Sequence, residues 1–271
     1  MKIALNGIIN EEPFICCGDT IEEISKQLNF KDFEILTIYN VLDDYQDGFY
    51  DIIETLDEDN EPVLLDKHGN QIMMYWEKDY MLECIDYLNP YGDVLEFGFG
   101  LGLSADRIMQ HNIDSYTVIE SDPLIFKKAK KWAERYPNSK INIVFGRWQD
   151  VIFQLGKFDC FFFDTAEFYD TPDGFNFLMQ VIFNCKEKVR YSAYCAASLQ
   201  QINSMEAKTK IYDKHSNETE VSINKGFEIK HFKESTVSIP KKCKYIDAEK
   251  KLYVYVAECE LNKVLGELSA A

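Results

Sequence analysis

The sequence predicts an α/β fold: a mostly parallel sheet with helices on its faces, an antiparallel hairpin at its C-terminal edge, and an N-terminal cap. Three observations predict it. Strand-like and helix-like patterns alternate from about residue 76 to 196, the signature of βαβ units. Three glycines, Gly98, Gly100 and Gly102, fall at a strand-to-helix junction. The tail then switches to alternating apolar and polar residues around a polar turn, which reads as antiparallel strands.

The elements follow in order. In the first 70 residues, TIEEISKQL reads as a short helix with Thr20 as N-cap and Glu23 completing a capping box. VLLDKHGNQIMMY reads as a hairpin around Asp66 to Asn70. A helix from about Trp76 to Leu88 is closed by Asn89-Pro90. Strands are expected over 94–98, 115–121, 140–146, 157–165 and 190–196. Helices are expected over SADRIMQH, over PLIFKKAKKWAERY with Pro123 in its first turn, and over GFNFLMQVIFNCKEKV. STVSIPKKCKY and KKLYVYVAE are the expected tail strands. We divide the chain into a cap over 1–70 and an α/β domain over 71–271.

Composition bounds the function. The 271 residues are 46% apolar, enough for a sizeable core and too apolar for intrinsic disorder. With 29 Lys+Arg against 46 Asp+Glu, the net charge of −17 argues against nucleic acid and favours a cationic ligand. Eight of these acids lie between residues 41 and 60 and read as solvated surface. The eight cysteines include no CxxC pair and no metal spacing. No signal peptide or membrane span is apparent, so the expectation is a cytoplasmic protein with reduced thiols, no membrane partner and no metal.

The glycine run is Glu96-Phe97-Gly98-Phe99-Gly100-Leu101-Gly102. The position of a third GxGxxG glycine is Leu103, which disfavours the dinucleotide fingerprint. Glu96 is placed to meet a ligand ammonium. Glu120 ends the next strand, 22 residues after Gly98, where it can accept from both hydroxyls of a ribose. This combination resembles the S-adenosylmethionine (SAM) methyltransferases of the Rossmann-like class I fold. The acceptor then needs its own site. Asp164 follows Phe161, Phe162 and Phe163 at the end of a strand, where doubly wound sheets bind ligands, and Glu77 offers a second carboxylate. Two carboxylates around one planar cation suit a guanidinium. Its pKa lies above about 12, so a carboxylate must take its proton as the nitrogen attacks.

MMYWEKDYM, VLEFGFGLGLSADRI, VIESD, GRWQDV, FFFDT, YSAYCAAS and PKKCKYI occur in the order and spacing of one family. Together they resemble guanidinoacetate N-methyltransferase and its relatives, the fungal-type arginine methyltransferases acting on the δ-nitrogen, over roughly residues 70 to 257. The resemblance implies SAM as cofactor, held by Glu96, Gly98, Gly100, Gly102, Glu120, Trp148 and Gln149. It implies guanidino contacts from the catalytic pair Glu77 and Asp164, with Tyr75 and Trp76 closing over SAM or the acceptor. Ala166-Glu167-Phe168-Tyr169 replaces the Tyr-Pro-Leu that follows Asp-Thr in guanidinoacetate enzymes, and Ala196-Ala197 replaces a polar pair. Glu167 and GRWQD lean toward the arginine-directed branch. The expected function is methyl transfer to a guanidino nitrogen of arginine or a similar small molecule. The alternatives are the Arg side chain of a peptide or protein, and a non-catalytic module that keeps SAM or a guanidine.

Overall fold

The computed structural model describes residues 2–9, 12–18, 34–41, 52–165, 184–204, 208–212, 218–222 and 227–261. The helix expected at Thr20 to Leu28 lies outside them. Three antiparallel strands come first, β1 (Lys2–Ile9), β2 (Glu12–Gly18) and β3 (Glu34–Val41), in the order β2-β1-β3. A second antiparallel sheet follows, β4 (Ile53–Leu56), β5 (Pro62–Leu65) and β6 (Gln71–Met74). Its β5–β6 pair is the expected hairpin. Asp66 closes the turn, with Oδ1 accepting from the backbone N–H of His68 and of Asn70 at 2.8 Å each.

One 3-10 turn, Tyr75–Glu77, carries the chain from β6 into α1 (Lys78–Leu88). Asn89 ends α1 in the left-handed conformation, φ 46°, just before Pro90. The alternation then runs β7 (Gly92–Phe97), α2 (Leu103–Ile108), β8 (Ile113–Glu120), α3 (Pro123–Ala133), β9 (Ile141–Phe145), α4 (Trp148–Val151) and β10 (Phe158–Phe163). Asp122 caps α3 by accepting from the N–H groups of Leu124 and Ile125 at 2.8 and 3.0 Å, with Pro123 at the first helical position. The chain closes with β11 (Cys185–Ala193), α5 (Leu199–Ser204), a small ribbon of β12 (Lys208–Tyr212) and β13 (Glu218–Ser222), then β14 (Phe227–Glu234) and β15 (Tyr253–Glu260).

Seven strands form the central sheet in the order β14-β15-β11-β10-β7-β8-β9. The pairs from β11 to β9 are parallel, and β15 runs antiparallel to both its neighbours. This is the class I SAM methyltransferase fold, α/β with a mostly parallel sheet and an antiparallel C-terminal edge. Its topological switch lies between β7 and β10, since the chain winds to β8 and β9 on one side and to β11 on the other. Apolar side chains alternate between two core clusters, one on each face. Val94, Cys160 and Phe162 join one cluster, while Leu95, Phe97, Phe161 and Phe163 join the other. The three phenylalanines before Asp164 therefore divide between two faces.

Two expected elements differ. GFNFLMQVIFNCKEKV was expected to be helical to Val189, but Cys185–Val189 opens β11, and residues 174–183 lie outside the described residues. Lys186 leaves the strand to bridge Asp93 and Asp159 at 2.8 and 2.6 Å, while Cys185 and Val189 are buried. In the tail, β15 pairs with FEIKHFKE rather than with STVSIPKKCKY. The ladder ends where Ser235 N–H donates to Leu252 O, and the link turns at Pro240, whose carbonyl accepts from Cys243 N–H. Pro240 has no N–H to offer a ladder.

Candidate active site

Two strand exits build the site. β7 and β10 lie in register from Val94 beside Cys160 to Phe97 beside Phe163. The glycine loop leaves one and Asp164 leaves the other. Asp164 N–H donates to Phe97 O at 3.1 Å. At Gly98, with φ +83°, a β-carbon would stand 2.5 Å from the Asp164 carbonyl oxygen. At Gly100, with φ +51°, it would stand 2.5 Å from Sδ of Met73. That thioether also accepts from Leu101 N–H at 3.3 Å. The loop is thus gripped between the exit of β10 and the end of β6, a spacing no side chain fits.

Two acids support the loop from below. Glu96 is fully enclosed, and its carboxylate oxygens accept from the Ser104 hydroxyl and the Tyr116 phenol. Burial, with the charges of Asp164 and Glu120 adding to it, pushes the Glu96 carboxyl up to about 8. Glu120 ends β8 with Oε2 accepting from Phe99 N–H at 2.9 Å and Oε1 from Asp122 N–H at 2.8 Å. Burial raises this carboxyl too, against the pull of those amide donors. Each of its oxygens keeps a second lone pair beside the loop.

The acceptor carboxylates come from distant segments. Glu77 sits at the start of α1 and is buried, with Oε1 accepting from Met74 N–H at 3.1 Å and from the Tyr245 phenol. Its carboxyl is pushed up to about 8, first by burial and then by the charge of Asp164. Asp164 is partly open to solvent, yet desolvation lifts its carboxyl to about 7. Among the described residues nothing donates to the Asp164 carboxylate. The charge of Asp164 raises both Glu77 and Glu96, that of Glu120 also raises Glu96, and none of the leading influences on Glu77, Glu96 or Asp164 is a cation.

Of the other expected residues, Tyr75 accepts from Lys78 Nζ at 3.0 Å through its phenol oxygen. Trp76 buries its indole N–H with no acceptor among the described residues. Trp148 is buried edge-on to Phe97 and Phe163, with ring centroids 5.9 Å from each. Gln149 lies within α4, and Glu167 lies outside the described residues. Sequence reading missed the hydroxyls of Ser104 and Tyr116 and the phenol of Tyr245. Ser104 and Tyr116 do carry a local signal, eight and 20 residues from the acid they serve.

Comparison with known proteins settles the family. The pattern described as guanidinoacetate N-methyltransferase matches residues 39–258. The chain belongs to the guanidinoacetate N-methyltransferase family. Among its relatives are proteins named protein arginine N-methyltransferase 2. That of Aspergillus oryzae is 32% identical over 140 residues, covering 48% of this chain and 33% of the relative. That of Cryptococcus neoformans is 30% identical over 159 residues, covering 47% and 43%. The chain thus spans less than half the length of these relatives. Among solved structures, spermidine synthase from Thermotoga maritima aligns with a TM-score of 0.47 at 14% identity, covering 78% of this chain and 73% of that one. Within the family, the segments bearing Glu77, the glycine loop, Glu120 and Asp164 all fall inside the matched region. No helix among the described residues is long and apolar enough to cross a membrane.

Proposed function

We propose that this chain is a SAM-dependent N-methyltransferase that methylates a guanidino nitrogen of arginine or an arginine-like small molecule. One observation carries the reading. Glu77 and Asp164, 87 residues apart in sequence, come near enough for the charge of Asp164 to raise the Glu77 carboxyl, and among the described residues no cation is a leading influence on either. Such a pair is incomplete without a cationic ligand.

The residues present also fit SAM. Gly98 and Gly100 let the loop backbone lie against the Asp164 carbonyl and Met73 where a side chain would not fit, and Glu120 keeps a lone pair on each oxygen for a diol. When bound, SAM would supply an electrophilic methyl on a cationic sulfonium. Gly98, Gly100, Gly102 and Glu120 would hold it, with Glu96 bracing the loop from beneath. Trp148 and Gln149 remain proposed neighbours of the adenine, and Glu167 a proposed acceptor contact.

The chain's own chemistry is then orientation and proton transfer. A guanidinium between Glu77 and Asp164 stabilises both carboxylates in their charged forms, reversing the upward shifts that burial imposes. Forked hydrogen bonds fix the plane of the acceptor and so the direction of its nitrogen. As that nitrogen gains a methyl it must lose a proton, and Asp164, with no donor among the described residues, is placed to take it. Tyr75 and Trp76 would close the site. We place the cap at residues 1–70 and the enzyme in the cytoplasm as part of the same proposal.

The second reading is methylation of Arg side chains in a peptide or protein, favoured by the printed names of the relatives. Labelled SAM with arginine, guanidinoacetate, agmatine and Arg-containing peptides, read by mass spectrometry, separates the two. Label on free arginine or agmatine supports the first reading; label on peptides alone rejects it for the second. No label on any guanidine overturns both.

A further inference from the structure

The two oxygens of Glu77 are not equivalent. Oε1 carries both hydrogen bonds, from Met74 N–H at 3.1 Å and from the phenol of Tyr245, 168 residues further on. Oε2 receives no donor from the described residues. Tyr245 belongs to the link between β14 and β15, and that link is pinned to the N-terminal hairpin at three points. Gln71 donates from Nε2 to Lys242 O at 3.1 Å and accepts from Lys244 N–H at 2.7 Å. Lys242 Nζ pairs with Asp57 at 2.7 Å and with Asp59. Cys243, between the two residues that Gln71 grips, is buried. The residue after this clamp is Tyr245.

We propose that Tyr245 is a positioning residue of the acceptor site: its phenol occupies Oε1 of Glu77, fixes the carboxylate plane and leaves Oε2 for the acceptor's guanidinium. This rests on the acceptor role proposed for Glu77. The titratable groups facing Glu77 are Asp164 from the end of β10, Tyr194 beyond β11 and Tyr245, with Cys243 next to Tyr245 and Cys84 of α1 near Asp164. Burial and Asp164 favour the neutral acid; the phenol and the Met74 amide are the two groups that favour the carboxylate. The phenol's own titration is driven far upward, first by burial and then by Glu77, so it stays a donor. The hydrogen bond therefore fixes the direction of Glu77 and favours its charged form against burial and Asp164.

The test uses the full chain, Tyr245→Phe, and methylguanidine as probe, titrated by calorimetry from about pH 6 to pH 9. The variant keeps the ring and removes one hydroxyl. Expected are methylguanidine affinity about tenfold weaker at neutral pH, and a rise of binding with pH displaced upward by about one unit. SAM affinity and melting temperature stay near wild type. Glu77→Gln is run in parallel, and in that background Tyr245→Phe adds little further loss. Unchanged affinity and pH profile in Tyr245→Phe, with weaker binding in Glu77→Gln, overturn this inference and leave the acceptor reading standing. A fall in melting temperature and in SAM affinity with no displaced pH profile overturns it in favour of a purely structural tyrosine. Wild-type chain that binds no methylguanidine at any pH, or Glu77→Gln that binds it normally, overturns the acceptor reading itself.

Discussion

The two ends of the site treat their carboxylates differently. At the loop, each oxygen of Glu96 accepts from one hydroxyl and each oxygen of Glu120 from one backbone amide. At the acceptor end, Asp164 has no donor among the described residues and Glu77 has donors on one oxygen only. All four are raised by burial, so burial alone does not separate them. What separates them is how the chain's donors are distributed: one on each oxygen of Glu96 and Glu120, both on one oxygen of Glu77, and none on Asp164 among the described residues. A carboxylate held on both oxygens is fixed in place by the fold, while an oxygen without a donor is completed by something the fold does not supply.

The largest effect that can break this contrast is kinetic. Asp164→Asn removes the proton acceptor, and turnover should fall by about 10²- to 10⁴-fold, with SAM affinity near wild type by equilibrium titration. Wild-type turnover in that variant would end the acceptor assignment. Next comes Glu120→Ala, which loses the diol's acceptor, one support of the glycine loop at Phe99 and one of the turn into α3 at Asp122. SAM should bind about 10- to 100-fold more weakly, and an unchanged dissociation constant would remove Glu120 from the cofactor site.

Proton linkage should produce a smaller effect. Glu77 and Glu96 titrate at about 8 and Asp164 at about 7 in the folded chain, all above their unfolded values. The folded state therefore holds more protons than the unfolded one between those limits. This contribution to stability is fully present below about pH 4 and is lost as pH rises to about 8. Melting temperatures of the ligand-free chain, followed up that range, should show the loss, and Asp164→Asn should flatten part of it. A wild-type curve parallel to that of Asp164→Asn would count against the raised carboxyl. The smallest effect belongs to Glu96→Gln. If Glu96 only braces the loop, its neutral isostere should melt near wild type at pH below about 7 and leave Asp164-dependent turnover intact.

How much of this was legible beforehand depends on range in the chain. β7, β8, β9 and β10 appeared within a few residues of their expected bounds, because each is a short apolar run set between helical periods. Cys185–Val189 was misread because its apolar ends and charged middle fit a helical face as well as a strand. STVSIPKKCKY was misread because its alternation is real while its partner is absent: β15 pairs instead with FEIKHFKE. Acids in the 41–60 run were read as solvated surface, and Glu54, Glu58 and Asp59 are exposed; what spacing did not give is their pairing, Glu54 with Lys128 at 2.5 Å and Asp57 and Asp59 with Lys242. Those partners lie too far along the chain for spacing to reveal them.

The amino-acid order by itself determined the α/β alternation, the glycine loop, and the four carboxylates Glu77, Glu96, Glu120 and Asp164. These are local patterns, written by the periods of strand and helix and by the steric freedom of glycine. Only the tertiary structure decided what each carboxylate touches. Hydrogen bonds form between groups that the fold brings within about 3 Å, whatever their separation along the chain. So the structure alone set Ser104 and Tyr116 on Glu96, brought Tyr245 to Glu77 across 168 residues, and left Asp164 open beside the loop.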